Sequence, residues 1–404
     1  MPFDFDEIID RENTHSVKWD YHNHGGFAAW DKTYGHNGAD RVLPMWVADM
    51  DFRCPPAVTK ALGDLAAHGI FGYSAKTDDY VDAVCGWFRD RQGWDAQGEW
   101  LITAPGVVPT LNVVVRAFTQ PGDKVIVQRP VYYPFFRVTT NNGCEVVSNS
   151  LILEDGAYRM DLEDLEAKAK DPKARLLILC SPHNPIGRVW TAGELTAVAE
   201  ICARHGVIVV ADEIHGDLMF PGETFTPFAT LGDTAAQNTI VCTAPSKTFN
   251  LAGLHTSNIF IPNPSLREQF AATYALHTLP GMNPFGIAAT MAAYRGAGEW
   301  LDAVMAYVAG NADRLIAFFG QEVPEIRAIR PQGTYLQWFD CRALGLDKDA
   351  LEDLMLNRAR VYFDEGYIFG DEGAGFERIN LACPRSVLDE ALVRIRDAVR
   401  AHRA

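Results

Sequence analysis

The sequence contains little positive charge for its length. Its 404 residues include 36 lysines and arginines against 52 aspartates and glutamates, which gives a formal net charge of −16. Nucleic acids and anionic membranes bind basic surfaces, so neither is an expected partner. Apolar runs of about 18 residues, the length needed to cross a bilayer, are also missing. The first residues are acidic and have no apolar signal segment. We therefore expect a cytoplasmic protein.

Patterns typical of metal sites, disulfide frameworks and several large enzyme classes are missing too. The eight cysteines are scattered, and no Cys-x-x-Cys pair occurs. We interpret them as reduced thiols and expect no metal site. The sequence also lacks the glycine-rich dinucleotide motif after its first strand, the P-loop motif, Gly-x-Ser-x-Gly and His-Glu-x-x-His. These absences argue against the enzymes that depend on those motifs.

What the sequence does contain is an alternation of strand-like and helix-like segments. Continuous apolar runs between amphipathic segments are typical of a mainly parallel sheet that helices cover on both faces. The predicted strands are 99–103, 124–128, 175–180 and 207–211, and the predicted helices are 78–92, 107–118, 161–170 and 191–205. Asp78 is the predicted N-cap of its helix.

The last hundred residues have a different pattern. Strands predicted at 333–339 and 376–382 lie around a helix predicted at 349–358, and a last helix is predicted at 385–402. This pattern favours a smaller α+β domain. We therefore predict an α/β fold with three parts: an N-terminal arm (1–50) that joins the small domain, a large domain (51–295) and the small domain (296–404).

Three polar residues follow three strand-like runs in the large domain. Asn184 follows 176–180, Asp212 follows 207–211, and Lys247 follows the β-rich run 238–243. Strand ends of this kind would bring an amide, a carboxylate and an amine to one edge of the sheet. Those groups suit an aldehyde cofactor with a pyridine ring, pyridoxal phosphate. The amine would bind its aldehyde, the carboxylate its ring nitrogen, and the amide its ring hydroxyl.

Each of these residues also has a simpler interpretation. Asp212 is at a position where a helix cap is common. Asn184 lies in a Pro-Gly turn, which is real whether or not the amide has a function. His215, three residues after Asp212, is more often a satisfied polar group than a ligand. The combination with Lys247 is what favours a cofactor site, where His215 could also contact the ring oxygen.

Further candidates come from the segments around these three. Gly106 and Val107 connect a strand to a helix, so the backbone there could bind a phosphate. Ser246 could donate its hydroxyl to the same phosphate. Tyr132 could stack on the ring, although a half-buried aromatic residue is an equally good interpretation. Arg378 lies on an alternating strand of the tail, where its guanidinium could bind a carboxylate with two hydrogen bonds instead of forming a surface ion pair.

Several segments along the chain together resemble one protein family. The chain resembles the fold-type I pyridoxal-phosphate enzymes of the aminotransferase class I/II superfamily. In particular it resembles their carbon–sulfur β-lyase branch, the cystathionine β-lyases related to the bacterial maltose-regulon modulator. The segments that carry the resemblance are Ser-Val-Lys-Trp-Asp (16–20), Trp-Val-Ala-Asp-Met-Asp-Phe (46–52), Phe-Gly-Tyr-Ser (71–74), Ser-Pro-His-Asn-Pro-Ile-Gly-Arg-Val-Trp (181–190), Asp-Glu-Ile-His (212–215), Ala-Pro-Ser-Lys-Thr-Phe-Asn-Leu-Ala-Gly (244–253), Gly-Thr-Tyr-Leu (333–336) and Arg-Ile-Asn-Leu-Ala-Cys-Pro-Arg (378–385).

The resemblance implies a role for several residues. Lys247 would bind the cofactor covalently, and Arg378 would bind the substrate's α-carboxylate. Tyr73 would reach the cofactor phosphate of the neighbouring subunit, which implies a homodimer. Two departures stand out. His215 takes a place where aminotransferases commonly have tyrosine, and the stretch 250–253 has no arginine for the phosphate.

The implied activity is β-elimination of a sulfur leaving group from cystathionine or a related cysteine conjugate. An aminotransferase on the same scaffold remains an alternative, because the named residues do not separate the two reactions physically. A cofactor-binding regulatory protein is a third possibility.

Overall fold

A computed structural model describes residues 3–20, 41–277 and 281–403. It contains one sheet of seven strands, one of four, and two strand pairs. The strands are β1 (Leu43–Pro44), β2 (Leu101–Ala104), β3 (Lys124–Val127), β4 (Glu145–Ser148), β5 (Ile152–Glu154), β6 (Ala157–Arg159), β7 (Ala174–Cys180), β8 (Ile208–Asp212), β9 (Thr239–Thr243), β10 (Ser257–Phe260), β11 (Arg327–Ala328), β12 (Leu336–Asp340), β13 (Val361–Tyr362), β14 (Asp364–Glu365) and β15 (Phe376–Asn380).

The seven-stranded sheet has the order β2-β10-β9-β8-β7-β3-β4. The neighbours from β9 to β4 run parallel, and β10 is antiparallel to both β9 and β2. Its central strands are buried and apolar, as expected for a sheet that is covered on both faces. The predicted α/β fold with a mainly parallel sheet is confirmed.

The helices that accompany the strands follow the predicted pattern closely. They are Pro56–His68, Asp78–Gln92, Val107–Phe118, Pro134–Thr140, Leu162–Ala169, Ala192–His205, Asp233–Gln237, Pro245–Thr248, Pro264–Leu276, Pro284–Gly296, Gly298–Glu322, Lys348–Glu352 and Arg385–Arg403. The predicted cap at Asp78 is wrong. Thr77 is the N-cap, and its side chain accepts a hydrogen bond from the backbone N–H of Tyr80.

The tail folds around a smaller antiparallel sheet of the order β11-β12-β15-β14. Strand β15 lies within the predicted segment 376–382. Strand β12 begins within the predicted segment 333–339 and ends one residue after it. The helix predicted at 349–358 is α-helical only over Lys348–Glu352 and continues as a π-helix over Asp353–Arg358. Apolar periodicity does not distinguish these two helix types over so few turns.

The N-terminal arm contacts the small sheet region and the segment before the first long helix. Strand β1 pairs in parallel with β13. A buried cluster of charges holds residues 11–20 to the segment 46–52: Lys18 Nζ and Arg11 each lie 2.6 Å from an oxygen of Asp51. Parts of the predicted arm (1–2 and 21–40) lie outside the described residues, and the domain boundaries at 50 and 295 stay predictions.

Two features of composition can be checked against the described part of the chain. No helix there combines the length and apolarity that crossing a membrane requires. All eight cysteines lie in the described ranges, and each is a free thiol.

Candidate active site

A cavity of about 420 Å³ lies at the carboxyl edge of the parallel strands. Eight of the residues singled out from the sequence line it. They are Gly106, Val107, Tyr132, Asn184, Asp212, His215, Ser246 and Lys247. Residues from five separate segments of the chain therefore meet at one place.

The strand register explains why they meet. Cys180, the last residue of β7, pairs with Asp212, the last residue of β8, and Asp212 in turn pairs with Cys242 of β9. The three strands end at nearly the same level, so the loops that follow them emerge side by side. These loops carry Asn184 and Lys247, the latter on the single-turn helix Pro245–Thr248.

Lys247 lines the cavity, and the pKa of its amine is lowered. Burial lowers its pKa to about 8, and the Arg378 charge acts in the same direction. Its Nζ donates a hydrogen bond to the carbonyl oxygen of Ala48 at 2.7 Å. An amine with such a pKa is uncharged for a useful fraction of the time near neutrality, and only the uncharged form can act as a nucleophile or base.

Asp212 is a buried carboxyl group beside that amine. Burial raises its pKa to about 7, and the Lys247 charge opposes this rise. Its Oδ1 accepts a hydrogen bond from the backbone N–H of Ile214 at 3.3 Å. The residues that follow it, 214–217, form a turn and not a helix. The interpretation of Asp212 as a helix cap is therefore wrong, and the carboxylate is directed to the cavity.

His215 is a neutral histidine in the wall of the cavity. Burial lowers its pKa well below the ordinary value, and the Lys247 and Arg378 charges add to the effect. Its Nδ1 is buried and has no hydrogen-bond partner among the described residues. A buried ring nitrogen without a partner is costly unless a ligand supplies one.

The end of the cavity at Gly106 has the features of an anion site. Gly106 has a φ of 152° and precedes the helix Val107–Phe118. Ser257 pairs with Ala104 across strands β10 and β2, so the segments before β10 and after β2 both lie at this edge of the sheet. His255 lines the cavity together with Ser246. A helix N-terminus, a hydroxyl and a histidine thus line the same cavity, although the stretch 250–253 after Lys247 has no arginine.

Arg378 lies behind the cavity and reaches it through Asn184. Its Nη1 donates to Asn184 Oδ1 at 2.9 Å, and its Nη2 donates to the Trp46 carbonyl at 2.9 Å and to Asp364. The side chain is only 2% exposed. The interpretation of Arg378 as a surface group is therefore wrong.

Tyr73 lies apart from this cavity and from the residues behind it. Its side chain is fully exposed on the segment after the first long helix. Ile70, Phe71 and Leu276 are also exposed large apolar residues. No hydrogen bond joins Tyr73 to another residue of the described ranges.

Ala48, Cys180, His255 and Thr256 are among the cavity residues that were not singled out from the sequence. Ala48 acts through its backbone carbonyl, which accepts from both Lys247 and the Tyr335 hydroxyl. A backbone atom leaves no side-chain signal, although the segment 46–52 was among those that carried the family resemblance. His255 lies between the short 3-10 helix Ala252–Leu254 and strand β10, and only the tertiary structure places it at the cavity.

Comparison with known proteins shows the family of this chain. Residues 41–395 match the model of the family described as aminotransferase class I and II. The chain belongs to the aminotransferase class I and II family.

Particular relatives narrow the comparison. The chain is 44% identical over 395 residues to cystathionine beta-lyase PatB of Bacillus subtilis, covering 98% of this chain and 99% of that protein. It is 32% identical to the protein MalY of Escherichia coli, covering 99% and 100%. Among solved structures it is similar to cystalysin from Treponema denticola, which contains pyridoxal 5'-phosphate. The TM-score is 0.95 at 41% identity, and all of both chains is covered.

Proposed function

We propose that this chain is a pyridoxal-phosphate-dependent carbon–sulfur β-lyase. It would convert cystathionine, or a related cysteine S-conjugate, and water into a thiol, pyruvate and ammonia. The observation that carries the proposal is the pair of Lys247 and Asp212 in one cavity, each with a pKa that burial moves toward neutrality. Such perturbed pairs are typical of acid–base sites. The 44% identity to a cystathionine beta-lyase supports this reaction over transamination.

The cavity residues fit the cofactor. Lys247 would bind its aldehyde carbon, and Asp212 would hold the proton on its ring nitrogen. His215, whose buried Nδ1 lacks a partner among the described residues, and Asn184 would lie toward its ring oxygen. Tyr132 would stack on the ring. Gly106, Val107 and Ser246 would bind the phosphate at the N-terminus of the helix Val107–Phe118.

The reaction then depends on where protons are held. When bound, pyridoxal phosphate supplies an electron sink for the charge that develops at the substrate's Cα. Once the substrate's amine has taken the place of Lys247 on the aldehyde carbon, the freed Lys247 amine would take the Cα proton as general base, which its pKa of about 8 allows near neutral pH. Asp212 keeps the ring nitrogen protonated and so strengthens the sink. The sulfur group leaves from Cβ as a thiolate.

Substrate orientation is assigned to Arg378. Its guanidinium lies behind Asn184 on strand β15 of the small sheet, and it would bind the α-carboxylate. This contact would fix the Cα–H bond relative to Lys247. It would also connect the small domain to the large one across the substrate, with the boundaries proposed at residues 50 and 295.

We also propose that the active enzyme is a homodimer. The exposed ring of Tyr73 does not line the cavity of its own chain, and the large apolar side chains near it in sequence are exposed as well. Packing of two copies through this region would bury them and place Tyr73 at the phosphate of the neighbouring subunit.

Pyruvate release from cystathionine tests the function directly. The purified protein, loaded with pyridoxal phosphate, should release pyruvate without any added keto acid. A requirement for a keto acid acceptor would favour an aminotransferase instead. A cofactor-loaded protein that consumes neither type of substrate would favour the regulatory role. Lys247→Ala serves as the control for contaminating lyases.

A further inference from the structure

The arginine assigned to the substrate's carboxylate already has a carboxylate partner in this structure. Asp364 on β14 lies directly across from Arg378 on β15 in the antiparallel register. Its carboxylate accepts from Arg378 Nη2. Both side chains are buried, at 4% and 2% exposure. The ion pair is therefore shielded from solvent, where charge pairs interact strongly.

The hydrogen bonds of Arg378 leave no pair of adjacent donors free. Nη2 has two N–H groups, and the Trp46 carbonyl and Asp364 occupy both. Nη1 uses one N–H for Asn184. The Nε–H is buried and has no partner among the described residues. A carboxylate that binds a guanidinium with two hydrogen bonds needs an N–H of Nη2, either with Nε or with Nη1.

Of the two groups on Nη2, Asp364 is the one that a carboxylate would displace. The Trp46 carbonyl is neutral and can remain beside a second anion. Two ionised carboxylates on one buried guanidinium repel each other, so both do not stay there in charged form. We propose that Asp364 is a resident carboxylate on Arg378, and that the substrate's α-carboxylate makes its two-point contact by displacing it. This inference rests on the proposed role of Arg378.

Displacement has a consequence for proton binding. Burial raises the pKa of Asp364, and its contact with Arg378 is the main opposing influence. Once displaced, Asp364 loses that influence and its pKa rises further, so carboxylate binding takes up a proton. Affinity is then highest at low pH and falls as pH rises through the pKa of the displaced group.

Other charged and titratable groups surround Asp364 and do not change the sign of this linkage. They come from several elements and are Lys247 after β9, Tyr132 and Tyr133 before the helix Pro134–Thr140, Tyr362 on β13, Glu365 on β14 and Glu377 on β15. Lys247 favours the charged form of Asp364 in the described structure, and displacement from Arg378 does not remove its charge. The acids beside it oppose that form in both states.

Calorimetric titration of the cofactor-loaded protein with propanoate, a carboxylate without an amine, tests the proposal. Asp364→Asn keeps the side-chain volume and one acceptor but removes the competing charge. We expect propanoate to bind this variant roughly tenfold more tightly than the parent, because a charge-assisted contact no longer has to be broken. Glu365→Gln is the matched control, since it changes a carboxyl group one residue away that makes no hydrogen bond to Arg378 among the described residues, and the affinity of this variant for propanoate should stay parental.

A second measurement on the unmodified protein does not depend on the folding of any variant. Titrations in two buffers of different ionisation enthalpy should show net proton uptake on propanoate binding. Parental or weaker affinity in Asp364→Asn, or no proton uptake by the parent, would overturn the displacement. Arg378→Ala tests the role of Arg378 in carboxylate binding separately from the displacement of Asp364. If it binds propanoate as the parent does, the proposed role of Arg378 itself is wrong.

Discussion

Replacing Asp212 by asparagine tests the electrostatic core of the proposed site. The change keeps the volume and the acceptor for the Ile214 N–H, and it removes only the charge. Burial raises the pKa of this carboxyl group from 3.8 to about 7. That difference is about 3 units, or ~4 kcal/mol against the charged form. The carboxylate is therefore stable mainly when a cation lies beside it, which is what a protonated ring nitrogen provides.

We expect Asp212→Asn to lose roughly 3 kcal/mol or more of transition-state stabilisation, which is about a hundredfold in kcat/KM. Pyruvate release from cystathionine measures this quantity. Absorbance of the bound cofactor, recorded on the same samples, shows whether the loss comes from chemistry or from poor loading. A fully loaded Asp212→Asn variant with near-parental turnover would refute the assignment.

Glu213 offers a matched control for this experiment. It is the next residue, it is also buried, and burial raises its pKa to about 8. Its Oε1 accepts from the backbone N–H of Phe228 at 2.7 Å, a bond that glutamine can also accept. Glu213→Gln should therefore keep kcat/KM within a few-fold of the parent. An equal loss in both variants would mean that general damage to the loop, and not the Asp212 charge, is the cause.

Four other outcomes are expected. Borohydride should fix the cofactor to the peptide that contains Lys247, and Lys247→Ala should lose the visible absorbance of the covalently bound cofactor. Arg378→Lys should raise KM for cystathionine far more than it lowers kcat, because an ammonium group cannot replace the planar guanidinium. Loss of the cofactor in this variant would instead indicate a structural role for Arg378. Sedimentation should show a dimer, and Tyr73→Ala should weaken cofactor binding, whereas a fully active monomer would reject the shared site. Asp51→Asn should destabilise the N-terminal arm by about 3 kcal/mol, because it leaves the buried Lys18 ammonium without its partner at 2.6 Å; unchanged resistance of the arm to limited proteolysis would contradict this.

Most of the fold could be predicted from local patterns. Continuous apolar runs and capped amphipathic segments determine strands and helices through the nearest residues, so β7, β8 and the helix Ala192–His205 were found close to their observed bounds. Errors occurred where neighbouring residues compete for one role. Thr77 and Asp78 are both good caps, and only the position of the backbone N–H of Tyr80 decides between them.

The sequence by itself determined which residues have the right chemistry and the family to which they belong. Lys247, Asp212 and Asn184 each follow a strand, and the carboxyl ends of parallel strands share one edge of a sheet. That rule was enough to predict that they meet. It requires only knowledge of where each strand stops.

Only the tertiary structure decided which groups contact Lys247 and Arg378. The Ala48 carbonyl that receives Lys247, and the Asp364 carboxylate on Arg378, come from segments far apart in the chain. Asp364 meets Arg378 because β14 pairs with β15 in one particular register, and a shift of one residue would point its side chain to the opposite face. Burial then sets the pKa values of these groups, and burial is a property of the packed molecule that no local pattern contains.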